Sequence, residues 1–207
     1  MENTENPTIK IPEDNLVKPY LTLRVLNEAG FKEAMFGLSL NKKQPIENMP
    51  KIATKLASMD GGHNKFLEQI IVWLEVRAPR YFWVEADTYR LTSKSSESTM
   101  HSILKGHLDE KDFEDFINPK ILGYLNDYVN TKDLLKLKTM LPEGFLQRRM
   151  WMVSYKTLRN IIIQRYNHRL PHWKIFCDQL KRQLDHPEFL PFDEVEKNIK
   201  SQGSSNE

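Results

Sequence analysis

The chain has 207 residues, of which 40% are hydrophobic and 10% aromatic, and its formal charge is +2. That length suits one domain with a substantial core, and the composition excludes wholesale disorder. A charge so near balance makes a nucleic-acid partner unexpected, whereas a small phosphate ligand needs only local arginines.

Taken in order, residues 1–17 are polar, with Pro7 and Pro12, and read as a flexible arm. Their start, Met1-Glu2-Asn3-Thr4-Glu5, lacks a basic-then-apolar leader, and no apolar run reaches bilayer length. A soluble cytoplasmic protein without a membrane partner is expected. Leu21 to Leu26 alternates apolar and polar, a strand signal. Phe31 to Leu40 reads as a short helix or loop. Met49, Ile52, Leu56 and Met59 recur at helical spacing from Ile46 onward, and Gly61-Gly62 stops that helix. Leu67 to Val76 is the clearest strand, rich in β-branched and bulky residues, and Pro79 opens a helix through Tyr89. Two helices are expected between Asp109 and Met140. A long one runs from Pro142 through Trp151 to Tyr166, and a last one begins at Pro171. The body, 18–195, reads as a single α+β domain, and 196–207 as a flexible tail. Cys177, the single cysteine, excludes an intrachain disulfide and reads as packed in a helix.

Three segments stand out for chemistry. Gly62-His63 is followed five residues later by Glu68. Val76-Arg77-Ala78-Pro79 precedes a hydroxyl-rich stretch, Tyr89-Arg90-Leu91-Thr92-Ser93-Lys94-Ser95-Ser96-Glu97-Ser98, which reads as a loop because such side chains compete for backbone bonds. Leu141-Pro142 leads into Arg148, Trp151, Val153, Leu158, Asn160 and Arg165. A dianionic phosphate is held by arginine forks and hydroxyls, so Arg90, Ser98 and Arg148 form the natural set. Arg148 also reads as an exposed helix cation beside Arg149, and Glu68 as an outward strand position. Ser98 has no histidine placed by sequence to activate it as a nucleophile, since His101 reaches a serine only through folding. His168 and His172 have zinc-ligand spacing, but Pro171 interrupts the helix that would align them, and no metal site is expected.

These segments, in this order, resemble the flavin-dependent thymidylate synthases. That family carries Arg-His-Arg, seven residues and then Ser; Arg90 and Ser98 keep the spacing of the third arginine and the serine. The Gly-His with its later glutamate, the Val-x-Ala-Pro and the second block from Leu141 to Arg165 match as well, over a span from Leu21 to Leu180. The resemblance implies a small sheet packed with long helices, FAD as cofactor, and methylenetetrahydrofolate and NADPH as co-substrates. It also implies one-carbon transfer to C5 of a pyrimidine deoxynucleotide in a homotetramer whose flavin sites draw on several subunits. His63, Glu68, Tyr89, Arg90 and Arg165 would meet the flavin; Glu85, Ser98 and Arg148 would meet the nucleotide.

The chain departs from the family at named positions. Thr88 and Tyr89 replace the first Arg and the His. Glu85 replaces a glutamine, and Thr99-Met100-His101 replaces Gly/Ala-Arg-Tyr, losing an arginine that helps hold phosphate. These changes favour a changed base (dCMP instead of dUMP) or a hydroxymethyl product. The other reading they favour is a non-catalytic nucleotide- or protein-binding descendant that keeps the fold.

Overall fold

The computed structural model describes residues 19–203 of the chain. The expected arm over 1–17 therefore lies outside the described residues. Four strands form one antiparallel sheet: β1 (Thr22–Ala29), β2 (Ile71–Pro79), β3 (Ser93–Ser96) and β4 (Leu146–Ser154), in the order β1-β2-β4-β3. Nine helices occur among the described residues. They are α1 (Phe31–Lys42), α2 (Met49–Ala57), α3 (Arg80–Ala86), α4 (Thr99–Ser102), α5 (Pro119–Asn130), α6 (Leu134–Met140), α7 (Tyr155–Arg165), α8 (His172–Lys181) and α9 (Phe192–Gly203).

Along β2 the side chains alternate: Val72, Leu74, Val76 and Ala78 are buried, while Ile71, Trp73, Glu75 and Arg77 face partly outward. The buried face continues through Trp151 and Val153 of β4 and Leu23 of β1. Helices α3, α7 and α8 cover it with an aromatic cluster in which Phe82 lies 4.5 Å from Trp173 and Trp151 lies 5.6 Å from Phe176, centroid to centroid. Each such ring contributes about 1.5–3 kcal/mol through burial. Cys177 is buried in this cluster, and burial pushes its thiol well above the ordinary range. A second apolar cluster lies under α5 and α6, built from Phe113, Leu125, Val129, Leu137 and Phe145. Glu114 joins the two clusters. It accepts hydrogen bonds from Tyr81 Oη and from the Tyr20 amide at 2.8 Å, and it pairs with His172 Nε2.

The outer edge of β1 is closed by side chains. Gln179 on α8 and Gln183 just beyond its end each accept an amide proton from β1 and donate to a carbonyl at or just before its start (Leu23 N and Leu21 O for the first, Val25 N and Leu23 O for the second) at 2.7–3.1 Å. The opposite edge, β3, is short and polar, which also discourages strand addition.

Four expectations are corrected. The long helix expected from Pro142 is instead β4 followed by α7. Met150 and Met152 fill the outer face opposite Trp151 and Val153, so apolar residues on both sides hide the period of two. Ser154 ends the strand and caps α7, its Oγ accepting from the Thr157 amide at 3.2 Å. The hydroxyl-rich loop contains strand β3, because the free edge of β4 satisfies its backbone groups. Glu68 lies in a 3-10 turn, Lys65–Glu68, and not on the following strand; the turn buries Phe66 and Leu67 together, which a strand would split. Finally, α9 runs past the boundary placed at 195. Glu196 accepts from Tyr166 Oη at 3.2 Å and from Lys181 Nζ at 2.9 Å. No helix among the described residues is long and apolar enough to cross a membrane.

Candidate functional site

The chain leaving α3 passes over the first turns of α7, and the space between is an open cleft of about 610 Å³. Glu68, Tyr89 and Arg90 line it together with Lys156, Asn160 and Gln164. The last three lie four residues apart on α7 and form a polar stripe. Arg90 is exposed and makes no hydrogen bond or ion pair with another described residue. Leu91, next to it, has φ of 59° and is 93% exposed. A left-handed leucine costs about 1–2 kcal/mol, and here it turns the backbone from the cleft into β3.

What anchors this turn lies on the inner side of the sheet edge. Lys94 points inward over the Trp151 ring at 4.7 Å, 3.6 Å from Asp87. Burial lowers its pKa below the ordinary lysine value, against the pull of Asp87. Arg149 stacks 4.5 Å over Trp83 and donates to Asp87 at 2.9 Å. Asp87 thus fixes both strands that leave the cleft.

Behind the cleft, Glu85, Tyr89 and Arg165 form one network. Arg165 Nε donates to Tyr89 Oη at 3.0 Å, and its Nη1 donates to Glu85 Oε2 at 3.2 Å. The same carboxylate oxygen accepts from Trp173 Nε1 at 2.6 Å. Tyr89 Oη in turn donates to Gln164 Oε1 at 3.0 Å. Arg165, placed by resemblance at the flavin, is therefore bonded to its own neighbours.

Ser98 and Arg148 lie at the other end of β3. Ser98 caps α4, accepting from the His101 amide at 3.3 Å. It has no base beside it, so a nucleophilic role has no support. Arg148 is on β4, not on a helix, and reaches Glu75 at 3.5 Å and Glu97 at 4.0 Å. It stands between a cleft of about 370 Å³ over the outer sheet face and one of about 400 Å³ beneath α4. His63 faces a fourth cleft, of about 250 Å³, with Lys42 and Lys65. The residues expected at the flavin are thus divided. Glu68, Tyr89 and Arg90 share one cleft, Arg165 packs behind it, and His63 lies elsewhere.

His168 and His172 turn to different partners, His168 toward Arg165 Nη1 at 2.9 Å and His172 toward Glu114. No group of three or more His, Cys, Asp or Glu side chains suited to a metal occurs among the described residues. Lys156 and Gln164 carried no signal in the sequence; they share a face with the motif residue Asn160 because α7 starts at Tyr155.

No protein-family model matches the chain, and no curated protein matches it. Solved structures do. The flavin-dependent thymidylate synthase ThyX from Helicobacter pylori, complexed with FAD and dUMP, superposes with a TM-score of 0.70 at 13% identity, covering 81% of this chain and 97% of that one. A second structure of that enzyme with FAD and dUMP gives a TM-score of 0.67 at 14% identity, covering 82% and 96%. The chain has the α+β fold of the flavin-dependent thymidylate synthases.

Proposed function

We propose that the protein binds a flavin and a pyrimidine deoxynucleotide and acts at C5 of the base. The one-carbon unit would come from methylenetetrahydrofolate, with NADPH as reductant. The observation that carries this reading is the cleft at Tyr89-Arg90, in a fold shared with structures complexed with FAD and dUMP. An unpaired guanidinium, two carboxamides and several hydroxyls around one cleft fit a phosphate-bearing, polyhydroxylated cofactor such as FAD. When bound, the flavin supplies a hydride from N5.

The chain's own residues then bind and orient. Arg90 neutralises phosphate charge, Asn160 and Gln164 donate or accept along the ligand, and Glu68 borders the cleft. Ser98 and Arg148 hold the nucleotide phosphate. His63 and Arg148 lie in clefts apart from Arg90, and Ser98 caps α4; a homotetramer whose sites are completed by other subunits accounts for that separation.

Glu85 bears on the base. A carboxylate only accepts, whereas glutamine also donates, and cytosine offers an exocyclic amine where uracil offers a carbonyl. Glu85 Oε2 is taken by Arg165 and Trp173, which leaves Oε1 for a ligand and favours dCMP over dUMP. A second reading has its own support: with Arg165 bonded to Glu85 and Tyr89, the protein would keep nucleotide binding and the fold without flavin chemistry.

The test uses dUMP and dCMP tritiated at C5, with FAD, methylenetetrahydrofolate and NADPH. Release of tritium, faster from dCMP, is expected. No release from either nucleotide would leave only the non-catalytic reading.

A further inference from the structure

We propose that Arg77 is a second phosphate-binding arginine, which with Arg148 holds the phosphate of the nucleotide beneath α4. The inference rests on the reading that the substrate is a nucleotide monophosphate, and it adds a residue that the motif match does not assign.

The ladder between β2 and β4 sets Arg77 directly opposite Arg148. Like charges opposed in an antiparallel pair repel each other. Arg148 has Glu75 and Glu97 to offset it. Arg77 has no carboxylate at ion-pair distance among the described residues. One of its Nη2 protons goes to the Lys111 carbonyl at 2.8 Å, and the guanidinium lies 5.7 Å from the Tyr20 ring centroid. A guanidinium has five N–H donors, so most of Arg77's remain for a ligand.

Both arginines line the same cleft, of about 400 Å³, whose rim carries Thr99, Ser102 and Gln147 and whose floor is apolar, with Leu108 and Phe145. Glu97, held at Arg148, and Asp112 also border it. Thr99 Oγ1 accepts from Lys138 Nζ at 2.6 Å, which leaves its own proton free to donate. Two guanidiniums, most of the Arg77 donors being free, and a neighbouring hydroxyl suit a dianionic phosphate monoester. The arrangement also explains how Met100 is tolerated. The arginine missing from that position, adjacent to Thr99, is replaced in charge by Arg77 arriving from β2.

The test is a titration of the full chain with dUMP and with inorganic phosphate, followed by 31P NMR, for the wild type, Arg77→Gln and Arg77→Lys. Arg77→Gln should weaken both ligands by about ten- to a hundredfold, Arg77→Lys should recover part of the loss, and the FAD spectrum should not change. Thr99→Val, which leaves the sheet intact, gives the same readout with a smaller effect should Arg77→Gln fail to fold. Arg77→Gln and Thr99→Val proteins that bind dUMP like the wild type would overturn the proposal and leave the nucleotide reading standing. Arg77-dependent binding without flavin or turnover would uphold the proposal and overturn the catalytic reading. A wild type that binds neither ligand would overturn both.

Discussion

The guanidinium of Arg165 is held by two side chains that stand where the resembling family has other residues, Glu85 for Gln and Tyr89 for His. The two changes are therefore coupled: the carboxylate draws Arg165 inward, and the phenol accepts from its Nε, with His168 beside its Nη1. Glu85→Gln should loosen this network. The ion pair is partly exposed, at 20% and 32%, so its own contribution is small, and the charged acceptor for Trp173 Nε1 is also lost. Urea denaturation should show a loss of about 1 kcal/mol. A freed Arg165 should also raise FAD affinity severalfold in a fluorescence-quenching titration; unchanged affinity would mean that Arg165 has no part in cofactor binding.

At the scale of elements, two devices hold the ends of the structure. The glutamine clamp at the end of α8 satisfies two amides and a carbonyl of β1, and the Leu21 carbonyl just before it, which would otherwise be an open edge. Replacing Gln179 and Gln183 together by Ala should cost about 1–3 kcal/mol and make the protein associate through the bared edge, seen as concentration-dependent light scattering. The docking of α9 is electrostatic as well as apolar. Lys181 holds the carboxyls of Asp193 and Glu196 below their ordinary range, chiefly through its hydrogen bonds. Folded protein then binds fewer protons at these sites than unfolded protein. Their stabilisation is therefore complete above the usual carboxylate pKa, about 4, and is lost as pH falls through the lowered values. Lys181 itself is raised, so its share persists up to high pH. Amide exchange in α9 should accelerate below pH about 4, and Glu196→Gln should flatten that dependence. Acid-independent exchange in the wild type would show that α9 is held by Phe192 and its apolar neighbours alone.

Across the whole molecule, the seam between the two apolar clusters is polar and almost fully buried. Glu114 and His172 are 4% and 3% exposed at their side chains, and Tyr81, raised in pKa by burial and by Glu114, completes the group. Removing one partner strands the others, so Glu114→Ala should cost about 3–5 kcal/mol; a loss below about 1 kcal/mol in denaturation would mean that water heals the gap.

This seam also marks how much could be read from the chain. Periodicity was enough for β1, α2 and α8, because each presents one apolar side. It misled at β4, where methionines oppose Trp151 and Val153. Glu68 and the pair Tyr89-Arg90 come from separate segments of the chain, and the fold brings them to one cleft. Arg77, Asn160 and Gln164 join the clefts only through the pairing of β2 with β4 and the packing of α7, which no local pattern encodes.

The absorption spectrum of the purified protein, taken before and after adding FAD and desalting, tests the central claim most directly. Flavin bands that survive desalting are the expected result, with a cofactor held at Arg90 and the α7 stripe. A colourless protein after that treatment would contradict the account and leave a nucleotide-binding protein that has kept the fold alone.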